Sequence, residues 1–566
     1  MVDGMGRRNA LSSFPPAGRL LRRFRRQLAP LSVTAVFLLL MLPPVLRVLG
    51  AGFATGDSSA AAWFNSAWQL VSRPSIRAAA WFSVSQAAAS AVISVVLALP
   101  GAYLLAHIRF PGKRMVQSLT LLPFVLPSLI IVLAIISMYG RAGLISRLFD
   151  TNLSLVYSPF GIILAHVLFN ISVALRLIAS GWVSIDQRLG EVSRSLGESR
   201  FSRLLHLSLP LLLPSIVSAL TVVFLYCFVS FGIVLIFGGV SWSTLEVRIY
   251  QEMFQNLNLG GAGVLALLQI LIAGAMVLLL QYSVRHRERR RGGKFTVRQW
   301  SQVGLPGRVL CMGYWAAIGL VFFSPLVTLL FRALRPGGRW GLQAFRALLF
   351  DGRIGDRDLY EVMRTSLGQL VATSLSLALL SAVLCTAIAY AAARLLRGRR
   401  VPYLDTMLML PLAISSVTLS LGMRLLWFGS LPTLLIIAGT QAIMAFPMVF
   451  RIQRTALDSF PRSYTEAAQS AGAGVWFRLR TLDIPVLSRA LLNSFILAYA
   501  LGLADFTAVL TIGRGQVVTF PVALYRLIGF QSFDAALALG VLYIGIVLLV
   551  FWAIDATSYR REQEGL

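Results

Sequence analysis

Two sets of residues recur along this 566-residue chain at one spacing. The first is Glu191, Gly197 and Leu209-Pro210; the second is Glu466-Ala467-Ala468, Gly472 and Ile484-Pro485. Each member of the second set stands 275 positions after its counterpart in the first. The chemistry these residue types allow is mechanical. Ser463-Tyr464-Thr465-Glu466 has capping-box spacing, which predicts a helix start with Glu466 in the first turn, near the positive end of the dipole. Ala467 and Ala468 let another surface approach the backbone, Gly472 can end the helix in a turn, and Pro485 starts the next element. Loops have no packing reason of their own to hold such register; a shared partner supplies one.

Other reactive side chains do not gather. The sequence has no G-x-x-x-x-G-K-[ST] phosphate loop; Gly292-Gly293-Lys294 lacks the spacing and the following hydroxyl, and reads as a basic linker. The four histidines are scattered. Cys227, Cys311 and Cys385 fall in apolar stretches with neither metal-ligand spacing nor a disulfide framework. Nucleotide chemistry is therefore assigned to another polypeptide, and no cofactor or metal is expected on this chain. Asp505 stands apart, because it lies inside an apolar run where a carboxylate costs about 2.5–3.5 kcal/mol by insertion scales. It either offers negative charge to a cationic cargo between two bundles or caps a helix break. Its counterpart is Ser230, so such a site is asymmetric. His166, Asn170, Phe231, Phe506, Tyr250 and Tyr525 are further candidates for a cavity or gate, with ordinary helix packing as the alternative; the two tyrosines are expected at the outer interface.

The elements that position these residues follow from composition. The chain is 57% hydrophobic and 13% charged, with mean hydropathy +0.76, whereas soluble domains stay near half apolar and about a quarter charged. Lipid is its solvent. Apolar runs approaching the ~20 residues of a membrane crossing occur at 31–46, 79–106, 116–138, 160–179, 211–237 and 264–280, and again at 309–331, 367–393, 407–428, 434–450, 491–512 and 535–554. These predict an all-α integral membrane protein of about 12 transmembrane helices, each satisfying its own backbone. The net charge of +29 would suggest nucleic acid in a soluble protein, but lysine occurs only at Lys113 and Lys294, and the arginine excess reads as compositional habit; no nucleic-acid partner is expected. Arginine clusters at 22–26, 109–114, 285–291 and 394–400 place both termini and both repeated loops in the cytoplasm.

The register reaches beyond the loops: Arg176 pairs with Arg451, Phe231 with Phe506 and Tyr250 with Tyr525, while upstream the offset becomes 288 and pairs Pro123 with Pro411. The chain thus reads as a basic N-terminus (1–30), a first bundle (31–284) with its loop at 182–210, a basic linker (285–308), and a second bundle (309–566) with its loop at 452–485. Parallel repeats of this kind carry a pathway between halves in many transporters.

The second loop closely resembles the E-A-A-x₃-G-x₉-I-x-L-P signature of binding-protein-dependent ABC permeases. In the first loop Val192 and Ser193 replace the alanines, while Glu191, Gly197, Leu209 and Pro210 keep their places. The resemblance implies a type I importer permease with two homologous parallel bundles in an inner membrane. It also implies coupling helices seated on two copies of a separate ATPase that uses ATP and Mg, and an external solute-binding protein that delivers a small-molecule cargo. The arginines at 332–353 are candidates to meet acidic lobes of that binding protein. Within the family the sequence is most similar to fused thiamine (thiamine diphosphate) permeases, through Ser158–Asn170, Ser230–Gln251 and Ala504–Tyr525, with ferric-iron permeases next. A secondary, ion-coupled transporter is the rival reading, and Asp505 alone gives it little footing.

Overall fold

The computed structural model describes residues 35, 37–51, 60–120, 126–149, 155–239, 241–288, 297–354, 357–397, 404, 407–412, 414–459 and 462–563. The basic segment 1–30 and the middle of the linker, 289–296, lie outside the described residues. Among the described residues, ten helices are long and apolar enough to cross a membrane. They are Pro74–His107, Ser128–Leu148, Pro159–Val183, Phe201–Phe228, Leu259–Leu279, Leu305–Ala333, Leu359–Leu396, Thr433–Ser459, Trp476–Ala504 and Phe533–Val550. Two of the twelve expected spans are shorter: the run 31–46 corresponds to Phe37–Ala51, and the run 407–428 to Ser416–Trp427. Two others are broken. The run 211–237 divides into Leu209–Phe228 and Gly232–Phe237, and the run 491–512 into Ile484–Ala504 and Thr507–Gly513.

The duplication is visible in the packing. Ser128–Tyr139 and Ser416–Trp427 are helices of 12 residues each, 288 positions apart. Helix Pro74–His107 buries Ser83, Ala87, Ser90, Ala91, Ser94, Ala98, Gly101 and Ala102. Helix Leu367–Leu396 buries Ser374, Ala378, Ser381, Ala382, Cys385, Ala389, Ala392 and Ala393, the same face shifted by 291. Lipid gives no hydrophobic drive between helices, so association rests on close contact, and small side chains permit it. Pro159–Val183 and Leu209–Phe228 close on the first of these faces, and Thr433–Ser459 and Ile484–Ala504 on the second. A buried serine does the same work in each half: Ser83 Oγ accepts the Leu245 N–H (2.8 Å), and Ser374 Oγ accepts the Phe520 N–H (3.1 Å).

The first helix of each half packs on the other half. Phe37 stacks on Phe446 with ring centroids 4.1 Å apart, and helix Leu305–Ala333 lies against Ser128–Tyr139 of the first half. At Gly422 the backbone of the opening helix comes so close that a Cβ would stand 2.1 Å from the Pro44 carbonyl oxygen. Gly422→Ala must therefore push Phe37–Ala51 away, at about 1–3 kcal/mol. Gly439→Ala, which would meet only the flexible end of Met423 at 3.6 Å, should be neutral. Thermal melting of the detergent-solubilised chain separates the two.

Candidate functional site

The two repeated loops fold into the same object. Helix Gln187–Ser195 begins at Asp186, whose carboxylate accepts the Arg188 N–H (3.0 Å). Its counterpart is Arg462–Ser470. That helix already includes Ser463, so the expected capping box is not formed, and Glu466 lies one turn inside rather than in the first turn. Both helices end on a glycine in the left-handed region, Gly197 at φ 79° and Gly472 at φ 77°. The hydrogen bonds match as well. Gly197 N–H reaches Arg194 O and Glu198 N–H reaches Ser193 O; Gly472 N–H reaches Gln469 O and Ala473 N–H reaches Ala468 O. This is the Schellman closure, which a residue with a Cβ adopts only at a cost. In the first loop Glu198 adds a staple, accepting from Ser193 and Ser202; those bonds hold its carboxyl below the usual carboxylate range.

Each loop then re-enters the apolar layer through one widened turn, Leu204–Ser208 and Leu479–Asp483. Leu209 N–H bonds Leu204 O and Ile484 N–H bonds Leu479 O. The next residues, Pro210 and Pro485, have no N–H, and a proline ring crowds the carbonyl four residues back in an ordinary α-turn; the wider turn relieves that. Glu191, Glu466 and Ala467 are exposed, as are the matched apolar side chains Leu189 and Tyr464. About two and a half turns of polar helix with an apolar spot thus face outward at each loop, available to a partner.

The second loop is tied to its bundle by a cluster that the sequence reading did not single out. Asp483, 3% exposed, pairs with Arg394 (2.8 Å) and accepts from the Tyr390 hydroxyl (3.1 Å). Arg397 donates to the Thr465 hydroxyl in the exposed helix (3.1 Å). Helix Leu367–Leu396 therefore grips both ends of the loop. In the first half Ser208 replaces Asp483, and Tyr103, His107 and Trp182 pack ring against ring at the corresponding end.

The broken spans meet at the interface between halves. Phe231 and Phe506 follow the breaks, and their rings stack with centroids 5.8 Å apart. Tyr250 lies 5.2 Å from Phe231, and Tyr525 lies 5.2 Å from Phe506. The four rings form one symmetric seam, Tyr250–Phe231–Phe506–Tyr525, with Phe231 and Phe506 each 3% exposed. The tyrosines are half-buried in this seam. Aromatic pairs in such arrangements add about 0.5–1.5 kcal/mol beyond their area.

Polar residues near the breaks satisfy the freed backbone. In the first half Gln86 donates to Cys227 O (3.0 Å), His166 Nδ1 donates to Gln86 Oε1 (2.9 Å), and Asn170 donates to His166 O (2.9 Å). His166 and Asn170 are each 1% exposed, inside the first bundle. In the second half Gln441 donates to Gly502 O (3.4 Å) and to Asp505 (3.1 Å), and Asp505 accepts the Ala508 N–H (3.4 Å). Asp505 is the C-terminal cap of Ile484–Ala504 and stands at the start of the next helix. Ser230, its counterpart, is half-buried at the first break.

A second acid belongs to this region. Glu246, fully buried, accepts from Gln269 (2.6 Å), then reaches across to the second half, where Val417 N–H (3.1 Å) and Ser416 Oγ (3.5 Å) donate to it. It caps a helix N-terminus belonging to the other half. Its repeat counterpart is Pro521, so the contact has no mirror image. Glu246 falls between two apolar runs, where an acid reads as loop decoration; the short helix Leu245–Phe254 turns it inward.

The family described as binding-protein-dependent transport system inner membrane component matches residues 98–291 and again 384–562. The thiamine transport system permease protein ThiP of Brucella abortus (strain 2308) is 30% identical over 99% of both chains. ThiP of Salmonella typhimurium is 31% identical over 89% of this chain and 94% of its own. The molybdenum transport system permease protein ModB of Mycobacterium bovis is 31% identical over 37% of this chain yet 81% of its own, so most of that protein corresponds to less than half of this one.

Removing the anchor tests its energetics. Asp483→Ala leaves Arg394 without its carboxylate and should cost about 1–3 kcal/mol, while Ser208→Ala should have little effect. A cycle with Arg394→Ala should return a coupling of about 0.5–3 kcal/mol in thermal melts of the solubilised chain.

Proposed function

The chain belongs to the family of inner-membrane components of binding-protein-dependent transport systems, and from that premise we propose that it is the membrane-spanning subunit of an ATP-driven importer for thiamine or thiamine diphosphate. Full-length likeness to thiamine permeases supports the cargo. The observation that carries the mechanism is the pair of exposed helices ending in one identical turn, 275 residues apart. Two copies of one motor can engage two copies of one handle.

In this reading a separate ATPase, present twice, holds Glu191 to Gly197 on one copy and Glu466 to Gly472 on the other. ATP and Mg act there, and this chain contributes no catalytic residue and no bound cofactor. A binding protein delivers cargo from outside the inner membrane, and both termini lie in the cytoplasm. Closure of the ATPase pair draws the two handles together. The Asp483–Arg394 link passes that displacement to helix Leu367–Leu396, and the matching rings pass it through the first half. The aromatic seam is the shut gate between halves: parting them unstacks Phe231 from Phe506 and withdraws Glu246 from Val417. Glu246 then needs a new partner, and a cation in transit can supply one. Asp505 is assigned the role of helix cap.

Two measurements test this. Glu466→Lys should abolish cargo-stimulated ATP hydrolysis by the assembled complex while the chain still inserts; normal stimulation would remove the coupling role. In right-side-out vesicles loaded with ATP and supplied with the binding protein, thiamine uptake should survive a protonophore and stop when ATP is withdrawn. The reverse pattern would assign the protein to ion-coupled transport.

A further inference from the structure

Four arginines converge on one turn in the second half, at the end of helix Leu367–Leu396 opposite the Arg394–Asp483 anchor. The turn is Gly513–Gln516, closed by Gln516 N–H to Gly513 O (2.8 Å). A Cβ placed on Gly515 would stand 2.9 Å from Nη2 of Arg526 and 3.5 Å from Nη1 of Arg364, so two guanidinium groups flank one point. Arg424 donates to Ile512 O (2.8 Å) and Arg526 to Met363 O (2.6 Å). The guanidinium of Arg514 lies 5.7 Å from the ring centroid of Phe254, across the interface in the first half. Backbone carbonyls orient these groups without cancelling their charge. Ion pairs among the described residues include Arg346–Asp351, Arg394–Asp483 and Arg454–Asp458, and these four arginines belong to none of the three.

The fold does not require this charge. The first half builds the same region with Gly239 in place of Arg514, Gln251 in place of Arg526 and Ile136 in place of Arg424, and keeps an arginine, Arg73, only where the second half has Arg364. Arg514 occupies the left-handed region (φ 41°) where its counterpart is Gly239 (φ 53°). A side chain held there against its preference points to a use.

We infer that this turn is a binding site for the phosphate group of an aromatic solute. Planar guanidinium forks match phosphate oxygens and bind them in pairs. The position adds the second requirement: Phe254 packs at a tilt against Tyr250 (4.9 Å) and so continues the aromatic seam. An anion held by Arg514 and its neighbours leaves a ring attached to it beside that seam. The inference rests on the reading that cargo passes between the halves, but the anion site can be tested without it.

The test uses the full chain in phosphatidylcholine nanodiscs with inorganic pyrophosphate and thiamine diphosphate as probes. Each arginine is exchanged for its own repeat residue, Arg514→Gly and Arg526→Gln, both compatible with the local backbone; Arg339→Gly in the exposed outer loop is the control for charge alone. Wild type and R339G should bind both probes, and the R514G/R526Q variant should bind each at least tenfold more weakly with an unchanged melting temperature. Equal binding by wild type and double variant overturns the site, as does an equal loss in R339G. Pyrophosphate binding without a preference for thiamine diphosphate overturns the aromatic half of the assignment. Pyrophosphate binding that disappears in phosphatidylglycerol nanodiscs assigns the arginines to lipid headgroups and overturns the solute. If the site binds both probes and intact complexes still fail to import thiamine in any form, the cargo reading fails and the anion site stands.

Discussion

Breaking a helix in the middle of a membrane frees backbone groups that no water can reach, and that constraint organises this molecule. The chain breaks two spans at matched places, after Phe228 and after Ala504. Each freed carbonyl must find a donor from within the protein. Gln86 answers for Cys227 and Gln441 for Gly502, from different helices of their respective halves. The buried Tyr543 hydroxyl donates to Leu503 O. Once those donors are fixed, the residues after the breaks are fixed too, and Phe231 and Phe506 are brought together across the interface. The seam between halves is thus a product of how the breaks are satisfied.

Duplication preserved backbone geometry more faithfully than side chains. The exposed turns agree to within a few degrees at Gly197 and Gly472, and the small-residue faces of Pro74–His107 and Leu367–Leu396 superimpose in sequence. Several charged groups do the opposite. Glu246 faces Pro521 in register, Asp483 faces Ser208, and Arg514 faces Gly239. Small changes in packing are punished equally in either half, whereas a charge placed near the interface is tolerated wherever one local donor set can hold it. Two halves of one shape therefore carry two different distributions of charge.

Much of this was legible beforehand. The 275 offset located the turns, the glycines and the prolines, because each is demanded by local backbone geometry. The aromatic pairs followed from the same register. The breaks were hidden: Leu211 to Phe237 is apolar throughout, and hydropathy does not register a change in backbone direction. Asp505 drew notice as an acid in an apolar run, yet its meaning as a cap depended on the break. Glu246 went unremarked because its surroundings in sequence look like a loop. The Ser463–Glu466 spacing imitated a helix start, although the helix already contains Ser463. The upstream register needed a second shift, from 288 to 291, that lies in the connection between Pro74–His107 and Ser128–Tyr139.

The exchange of opening helices has a consequence for the molecule's history and its freedom. With Phe37–Ala51 embraced by the later bundle and Leu305–Ala333 by the earlier one, the moieties are clasped like crossed forearms. Severing the tether between them would leave a heterodimer that stays joined in the bilayer. Rocking about the clasp is permitted; drifting apart is not. A single polypeptide and a pair of separate ones can then share one architecture, since the peptide link adds stoichiometry and the clasp already supplies cohesion.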